Sequence, residues 1–190
     1  PKSIKTEFSK QGYRIIGNHS AIKVCLWCKN AIRNKGTCYK HDFYGIRSWR
    51  CVQMSCSLVN CSNRCLHCWR DMQCTIAEQV RQPDEPKFIV EQCIKEQKEI
   101  LQGFKGNPNI NRKRLEEAMH PKHFAISLAG EAFFYPKLAE LIKEIHNRKM
   151  TTFLVSNGQL PEKISELVKQ NILPTQFYIS LNAPNKKLYS

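Results

Sequence analysis

From residue 122 to the end of the chain, short apolar segments alternate with amphipathic ones. The apolar segments have the length of strands buried on both faces, and the amphipathic segments repeat their apolar residues at helical spacing. The predicted strands cover residues 123–128, 151–155 and 177–181, and the predicted helices begin at Pro136 and Pro161. This alternation predicts an α/β fold, in which right-handed crossovers place parallel strands in order around a barrel or partial barrel.

The preceding part of the chain contains fewer regular elements. A strand is predicted over residues 51–59, a helix over 86–103 and a basic helix over about 111–119. Residues 1–20 have no clear period and are predicted to form a partly ordered lead-in, followed by a short helix near residues 20–34.

Three cysteines follow the first predicted strand with spacings of three and two residues: Cys61, Cys65 and Cys68. Three thiolates on one short loop can bind three irons of a 4Fe–4S cluster and leave the fourth iron open to another ligand. A zinc site with a ligand from elsewhere, or a disulfide, is the alternative. The spacing favours the cluster, because zinc sites prefer paired C-x2-C units.

A second group of cysteines lies upstream. Cys25 and Cys28 form a C-x2-C pair, Cys38 lies ten residues further on, and Cys51 another thirteen. The group predicts a second metal site, for which the pair alone would indicate zinc. Ordinary buried cysteines are the alternative.

The composition limits the compartment and the partners. The chain contains no apolar run long enough to span a bilayer and no secretory leader, so the ten cysteines are interpreted as metal ligands and buried thiols in a reducing cytoplasm. The formal charge of +14, from 30 basic and 16 acidic residues, indicates a nucleic-acid partner. A well-solvated basic surface is the alternative.

Polar or metal-binding residues follow every predicted parallel strand. The cysteine loop follows the first, Gly130 and Glu131 the second, Ser156 and Asn157 the third, and Asn182 the fourth. Because ligands bind at the carboxyl ends of strands in parallel α/β folds, these residues are predicted to meet at one rim.

The three-cysteine loop, with His67 before its last cysteine, resembles that of the radical S-adenosylmethionine (SAM) enzymes. The resemblance implies that SAM binds the open iron and is cleaved to a 5′-deoxyadenosyl radical when the cluster is reduced. Gly130 and Glu131 are then expected to accept hydrogen bonds from the ammonium group of SAM. Ser156, Asn157 and Asn182 are expected to bind its ribose and carboxylate, and the segment from His67 to Trp69 its adenine.

A denser resemblance covers the chain from about residue 10 to its end. The sequence is similar to the archaeal tRNA 4-demethylwyosine synthases of the wybutosine pathway in these segments: Tyr13-Arg14-Ile15-Ile16-Gly17, Cys38-Tyr39-Lys40, Phe43-Tyr44-Gly45-Ile46, Cys65-Leu66-His67-Cys68-Trp69-Arg70, Pro121-Lys122-His123, Ser127-Leu128-Ala129-Gly130-Glu131, Tyr135-Pro136, Leu154-Val155-Ser156-Asn157-Gly158 and residues 174–184.

This second resemblance implies a carbon–carbon lyase that condenses pyruvate with N1-methylguanosine at position 37 of phenylalanine tRNA. The radical would take hydrogen from the N-methyl group, and the resulting carbon radical would add to pyruvate. Cys25, Cys38 and Cys51 would bind a second 4Fe–4S cluster that holds pyruvate. Lys40 would form a Schiff base with pyruvate, and a phosphate-contacting or solvated lysine is the alternative.

The sequence departs from this family in two respects. The family's Gly-Glu-Pro-Thr-Leu is Gly130-Glu131-Ala132-Phe133-Phe134 here, which removes a proline expected to stiffen the turn. The family also continues well past this chain, so the expected fold is a radical SAM partial (βα)6 barrel truncated after about four strands. We expect an N-terminal extension over residues 1–50 and the incomplete barrel over 51–190.

The resemblance also implies a monomer that receives electrons from an external donor, because no flavodoxin-like domain is present in the sequence. Two alternative functions remain open. One is another radical SAM enzyme that does not need pyruvate, and the other is a non-catalytic, metal-stabilised RNA-binding module.

Overall fold

A computed structural model describes residues 4–68 and 72–189, and within them six strands form one sheet in the order β1 to β6. The strands are β1 (Arg14–Ile16), β2 (Ser20–Ile22), β3 (Cys51–Ser55), β4 (His123–Ile126), β5 (Thr151–Ser156) and β6 (Gln176–Ile179). The helices are α1 (Ile4–Lys10), α2 (Leu26–Ile32), α3 (Tyr39–Tyr44), α4 (Pro86–Gln102), α5 (Arg112–Ala118), α6 (Leu138–Asn147), α7 (Pro161–Lys169) and α8 (Lys186–Tyr189).

Strands β3 to β6 are parallel and adjacent in chain order. Cys51, His123 and Thr151 share one row at the amino ends of their strands. This arrangement confirms the predicted α/β fold with strands in sequence order, as expected when right-handed crossovers join parallel neighbours.

The two faces of the parallel sheet differ in their environment. One face packs on α4, α6 and α7 and forms the main apolar core, with Met54, Ile126 and Leu154 from successive strands. The alternate residues of β5, such as Phe153 and Val155, point to the opposite face and are only half-buried. We call this opposite face of β3 to β6 the inner face.

The structure corrects the prediction for the N-terminal segment. In place of a partly ordered lead-in, β1 and β2 form an antiparallel hairpin, and β2 pairs antiparallel with β3 through Ala21 and Ser55. Helix α2 begins only at Leu26. Strands of three residues are too short to give a recognisable alternation. They are stabilised instead by pairing, of β1 with β2 and of β2 with β3. The domain boundary at residue 50, between the N-terminal extension and the incomplete barrel, stays a prediction.

Most other boundaries agree with the sequence pattern to within a few residues. Helix α7 has the predicted bounds, whereas β3 ends at Ser55, earlier than predicted. The segment after Ser55 leaves the strand because its groups bind the loop that follows β4, as described below. Within the described residues, no helix is long and apolar enough to cross a membrane.

A buried histidine joins three parts of the fold. His19, in the turn of the hairpin, donates from Nδ1 to the carbonyl oxygen of Cys56 over 2.6 Å. Its Nε2 accepts from the backbone N–H of Asp84, just before α4, over 2.9 Å. Burial lowers the pKa of His19, so this neutral, doubly bonded form is favoured. The ring therefore satisfies two backbone groups that would otherwise be buried without partners.

We expect His19→Ala to lower the free energy of unfolding by about 2 to 4 kcal/mol, because it leaves both backbone groups unpaired. Chemical denaturation measures this change, with the exposed His120→Ala as the matched control. Equal stabilities of the two variants would contradict the role assigned to His19.

Candidate functional site

The cysteine loop lies at the carboxyl end of β3. The backbone N–H of Cys61 donates to the carbonyl oxygen of Ile76 over 3.0 Å, which fixes the start of the loop. The N–H of Asn63 donates to Sγ of Cys61 over 3.4 Å, and the N–H of Cys68 donates to the carbonyl oxygen of Cys65 over 3.0 Å. The loop thus folds back on itself, with its three thiols half-buried.

The three cysteines face a cavity of about 430 Å³ at the carboxyl ends of the parallel strands. Segments that follow all four strands contribute to its lining. The predicted site residues that line it are Cys61, Cys65, His67, Cys68, Gly130, Glu131, Ser156, Asn157 and Asn182. The tertiary structure therefore brings together residues that are separated by up to 121 positions, from Cys61 to Asn182.

The loop after β4 is held by side chains at the end of β3. Ser55 Oγ donates to the carbonyl oxygen of Ala129 over 2.6 Å, and Ser57 Oγ donates to that of Glu131 over 2.7 Å. Cys56 Sγ approaches the carbonyl oxygen of Ala132 at 3.8 Å. These buried hydrogen bonds stabilise the turn in which Ala132 replaces the family's proline. No local pattern in the sequence indicates this role of the Ser-Cys-Ser segment.

Glu131 links the loop after β4 to the end of β5. Its carboxylate accepts from Ser156 Oγ and from the backbone N–H of Asn157, each over 2.8 Å. Burial raises the pKa of Glu131, and the hydrogen bonds from these donors offset only part of that rise. The carboxylate is only 2% exposed, so its position is fixed by the protein.

Amide donors from the ends of β5 and β6 point at the cysteine sulfurs. Asn182 Nδ2 lies 3.4 Å from Sγ of Cys65, and Asn157 Nδ2 lies 4.0 Å from Sγ of Cys61. An amide N–H that donates to a ligating sulfur orients that ligand, so these contacts suit cysteines that hold a metal.

The donor set fits a 4Fe–4S cluster with one open iron. Three cysteines border one cavity, and amide donors face two of their sulfurs. Polar side chains together with the apolar Leu128 and Val155 line the remaining wall. Among residues 4–68 and 72–189, no three His, Cys, Asp or Glu side chains lie close enough to bind a single metal ion. In a 4Fe–4S cluster each thiolate binds its own iron, so wider spacing of the sulfurs is required.

The predicted adenine-binding segment is only partly described. His67 is exposed and lines the cavity. Trp69 lies outside the described residues, so its predicted role stays a prediction.

The upstream cysteines gather at the other end of β3. Cys25 precedes α2, Cys38 precedes α3, and Cys51 is the first residue of β3. Burial raises the pKa of Cys51 to about 12; the positive charge of Lys40 opposes this rise, and Cys25 and Cys38 add to it. Because their charges act on one another, the side chains of Cys25, Cys38, Lys40 and Cys51 lie near one another. Cys28 is fully buried behind them and donates from Sγ to the carbonyl oxygen of Trp49 over 3.3 Å.

The two cysteine groups lie at opposite ends of the inner face. From Cys51 to Ser55, four steps of about 3.3 Å along β3 correspond to a separation of about 13 Å. Between the two groups lies Phe153, a residue not predicted to belong to the site, whose ring lies under the Lys40 side chain. The sequence indicates only that Phe153 lies within an apolar strand, which does not identify it as a site residue.

Comparisons with known proteins agree with this geometry. The model of the Radical SAM superfamily matches residues 57–190. A tRNA 4-demethylwyosine synthase of Pyrococcus abyssi is 46% identical over all of this chain, which covers 56% of that protein. The corresponding protein of Arabidopsis thaliana is 42% identical over 97% of this chain, which covers 28% of it. The chain therefore spans little more than half of the archaeal relative.

Solved structures give the same result. A structure of TYW1 with a lysine–pyruvate adduct bound superposes with a TM-score of 0.85 at 40% identity, over all of this chain and 60% of that one. A crystal structure of archaeal TYW1 superposes with a TM-score of 0.77 at 38% identity, over all of this chain and 62% of that one. The resemblance seen in the sequence is confirmed.

We expect Gly130→Ala to lower the free energy of unfolding by about 2 kcal/mol or more. Gly130 has φ of +73°, and an added Cβ would lie 1.8 Å from the backbone oxygen of Ser57. Gly106→Ala, where an added Cβ meets no described atom within 4 Å, is the control and should change stability by less than about 0.5 kcal/mol. Chemical denaturation of both variants tests the close approach of the two loops.

Proposed function

We propose that this chain, which belongs to the Radical SAM superfamily, carries the active site of a tRNA 4-demethylwyosine synthase. The proposed reaction condenses pyruvate with N1-methylguanosine at position 37 of phenylalanine tRNA, as a carbon–carbon lyase. Similarity to the structure with a lysine–pyruvate adduct supports pyruvate as the second substrate.

The cavity at the carboxyl ends of β3 to β6 is the observation that carries the proposal. Three cysteines border it on one side, and polar groups from three further strand ends border it on the other. The superfamily implies one 4Fe–4S cluster and SAM. When bound, the reduced cluster and SAM supply a 5′-deoxyadenosyl radical.

The residues of the chain bind and orient these groups. Cys61, Cys65 and Cys68 provide the three thiolates, and the Gly130–Glu131 segment accepts hydrogen bonds from the SAM ammonium group. Ser156, Asn157 and Asn182 contact the ribose and carboxylate, and His67 and Trp69 the adenine. Hydrogen bonds between the strand ends fix this geometry before SAM binds, so little ordering is needed on binding.

The upstream cysteines and Lys40 form the proposed pyruvate site. Cys25, Cys38 and Cys51 would bind a second 4Fe–4S cluster at the amino end of β3. Lys40 extends over Phe153 towards the middle of the inner face, where it would form a Schiff base with pyruvate. The methylated guanine would then lie between the two sites, within reach of both.

The charge of the chain supports tRNA as the partner. A formal charge of +14 attracts the phosphate backbone. We propose that the protein works in the cytoplasm as a monomer and receives electrons from an external donor.

We expect anaerobic reconstitution to load about eight irons and eight sulfides per chain, because two 4Fe–4S clusters are proposed. Iron and sulfide analysis measures the loading, and electron paramagnetic resonance of the reduced protein should change when SAM is added. Zinc in place of iron, or a spectrum that does not respond to SAM, would instead indicate the metal-stabilised RNA-binding module.

Two cysteine variants separate the proposed sites. Cys65→Ala should abolish SAM cleavage, because one iron loses its thiolate, and should leave tRNA binding nearly unchanged. Cys38→Ala should retain uncoupled SAM cleavage and lose formation of the modified base. The assays measure 5′-deoxyadenosine and pyruvate-dependent product on tRNA that carries N1-methylguanosine.

The buried core thiol Cys93 provides the control, since Cys93→Ala removes a sulfur that packs among apolar side chains. This variant should retain both activities. SAM cleavage that persists in Cys65→Ala would exclude the proposed cluster loop. Product formation by Cys38→Ala would exclude the second cluster.

A further inference from the structure

The side chain of Lys40 packs on an aromatic group of the inner face. Its Nζ lies 3.6 Å from the centroid of the Phe153 ring, close enough for a strong cation–π contact. The ring of Tyr39 lies further away, with its centroid at 5.9 Å. Phe153 is therefore the aromatic face that Lys40 contacts most closely.

The position of Phe153 in the sheet places this contact between the two cysteine groups. In the parallel register, Phe153 lies beside Ala125, which lies beside Gln53. This row is two residues above the row of Cys51, towards the carboxyl ends of the strands. Since β5 is half-buried at Phe153 and buried at Leu154, the ring faces away from the apolar core.

Neighbouring aromatic residues hold the ring in place. Tyr178 of β6 packs against Phe153 edge to face, with centroids 4.6 Å apart and planes at 68°. The hydroxyl groups of Tyr178 and Tyr44 are hydrogen-bonded, and Tyr44 belongs to the same helix as Lys40. Tyr178 and Tyr44 thus connect the Phe153 ring to the helix that carries Lys40.

We propose that Phe153 is a positioning residue that holds the Lys40 amine at the middle of the inner face and stabilises its adduct with pyruvate. The inference rests on the proposed function. In that step the Lys40 nitrogen bonds to the keto carbon of pyruvate, and the keto oxygen leaves as water. The two protons of that water come from the Lys40 nitrogen, which keeps one positive charge. The planar protonated imine can lie flat on the ring face, which the tetrahedral ammonium group cannot do, so the ring favours the adduct over the free ammonium group.

The test uses borohydride reduction, which traps the imine, in the reconstituted protein with a subsaturating concentration of pyruvate. Mass spectrometry of peptides then measures the fraction of Lys40 that carries the reduced adduct. We expect Phe153→Leu to lower this fraction about tenfold, because leucine keeps the apolar volume and lacks the aromatic face. Phe153→Tyr should retain the fraction to within about twofold, because it keeps the ring.

Two controls separate positioning from folding. Phe88→Leu makes the same change on an exposed position of α4 and should leave trapping unchanged. Circular dichroism of every variant should match that of the wild type, so that a loss of trapping in Phe153→Leu is not caused by unfolding.

The outcomes distinguish this inference from the proposed function. Equal trapping by Phe153→Leu and the wild type would overturn it, as would equal loss in Phe153→Leu and Phe153→Tyr. Absence of an adduct on Lys40 in the wild type would instead reject the Schiff base and, with it, the role of Phe153. Loss in Phe153→Leu together with rescue in Phe153→Tyr would establish the positioning role.

Discussion

The in-register parallel pairing of β3 to β6 is the constraint on which the rest of the structure depends. Adjacent strands rise in step, so residues of one row lie at the same height and all carboxyl ends meet at one rim. This pairing places Cys51 at one end of the inner face and the loop of Cys61 at the other. The height of each group along the inner face is therefore set by the register of the strands.

The carboxyl-end rim is rigid because its polar groups bind one another. Ser55 and Ser57 satisfy carbonyl groups of the next loop, and the Glu131 carboxylate accepts from the end of β5. A buried polar network that is fully satisfied strengthens each of its bonds and fixes one geometry. The turn that contains Ala132 is consequently stabilised by tertiary hydrogen bonds, without the ring constraint that proline would provide.

The cysteines at the amino end come from different elements, since Cys51 begins β3 whereas Cys25 and Cys38 precede α2 and α3. Helix α2 packs on Trp49 and α5, whereas α3 contacts the inner face through Lys40 and Tyr44. The hydrogen bond between Tyr44 and Tyr178 attaches α3 to the last described strand. The orientation of Lys40 therefore depends on the sheet itself, although the lysine lies in a separate helix.

The sequence by itself determined the parallel α/β class, the positions of β4 to β6, the cysteine loop and the polar residues that follow each strand. Local periodicity and residue spacing indicate these features, and both can be recognised in a short segment without the rest of the chain. The hairpin of β1 and β2, the hydrogen bonds of Ser55 and Ser57, and the contact of Phe153 with Lys40 were decided only by the tertiary structure. The hydrogen bond of Ser55 to Ala129 joins residues 74 positions apart, and the contact of Lys40 with Phe153 joins residues 113 apart. No local pattern specifies which distant groups will meet, and the hairpin strands are too short to show a pattern of their own.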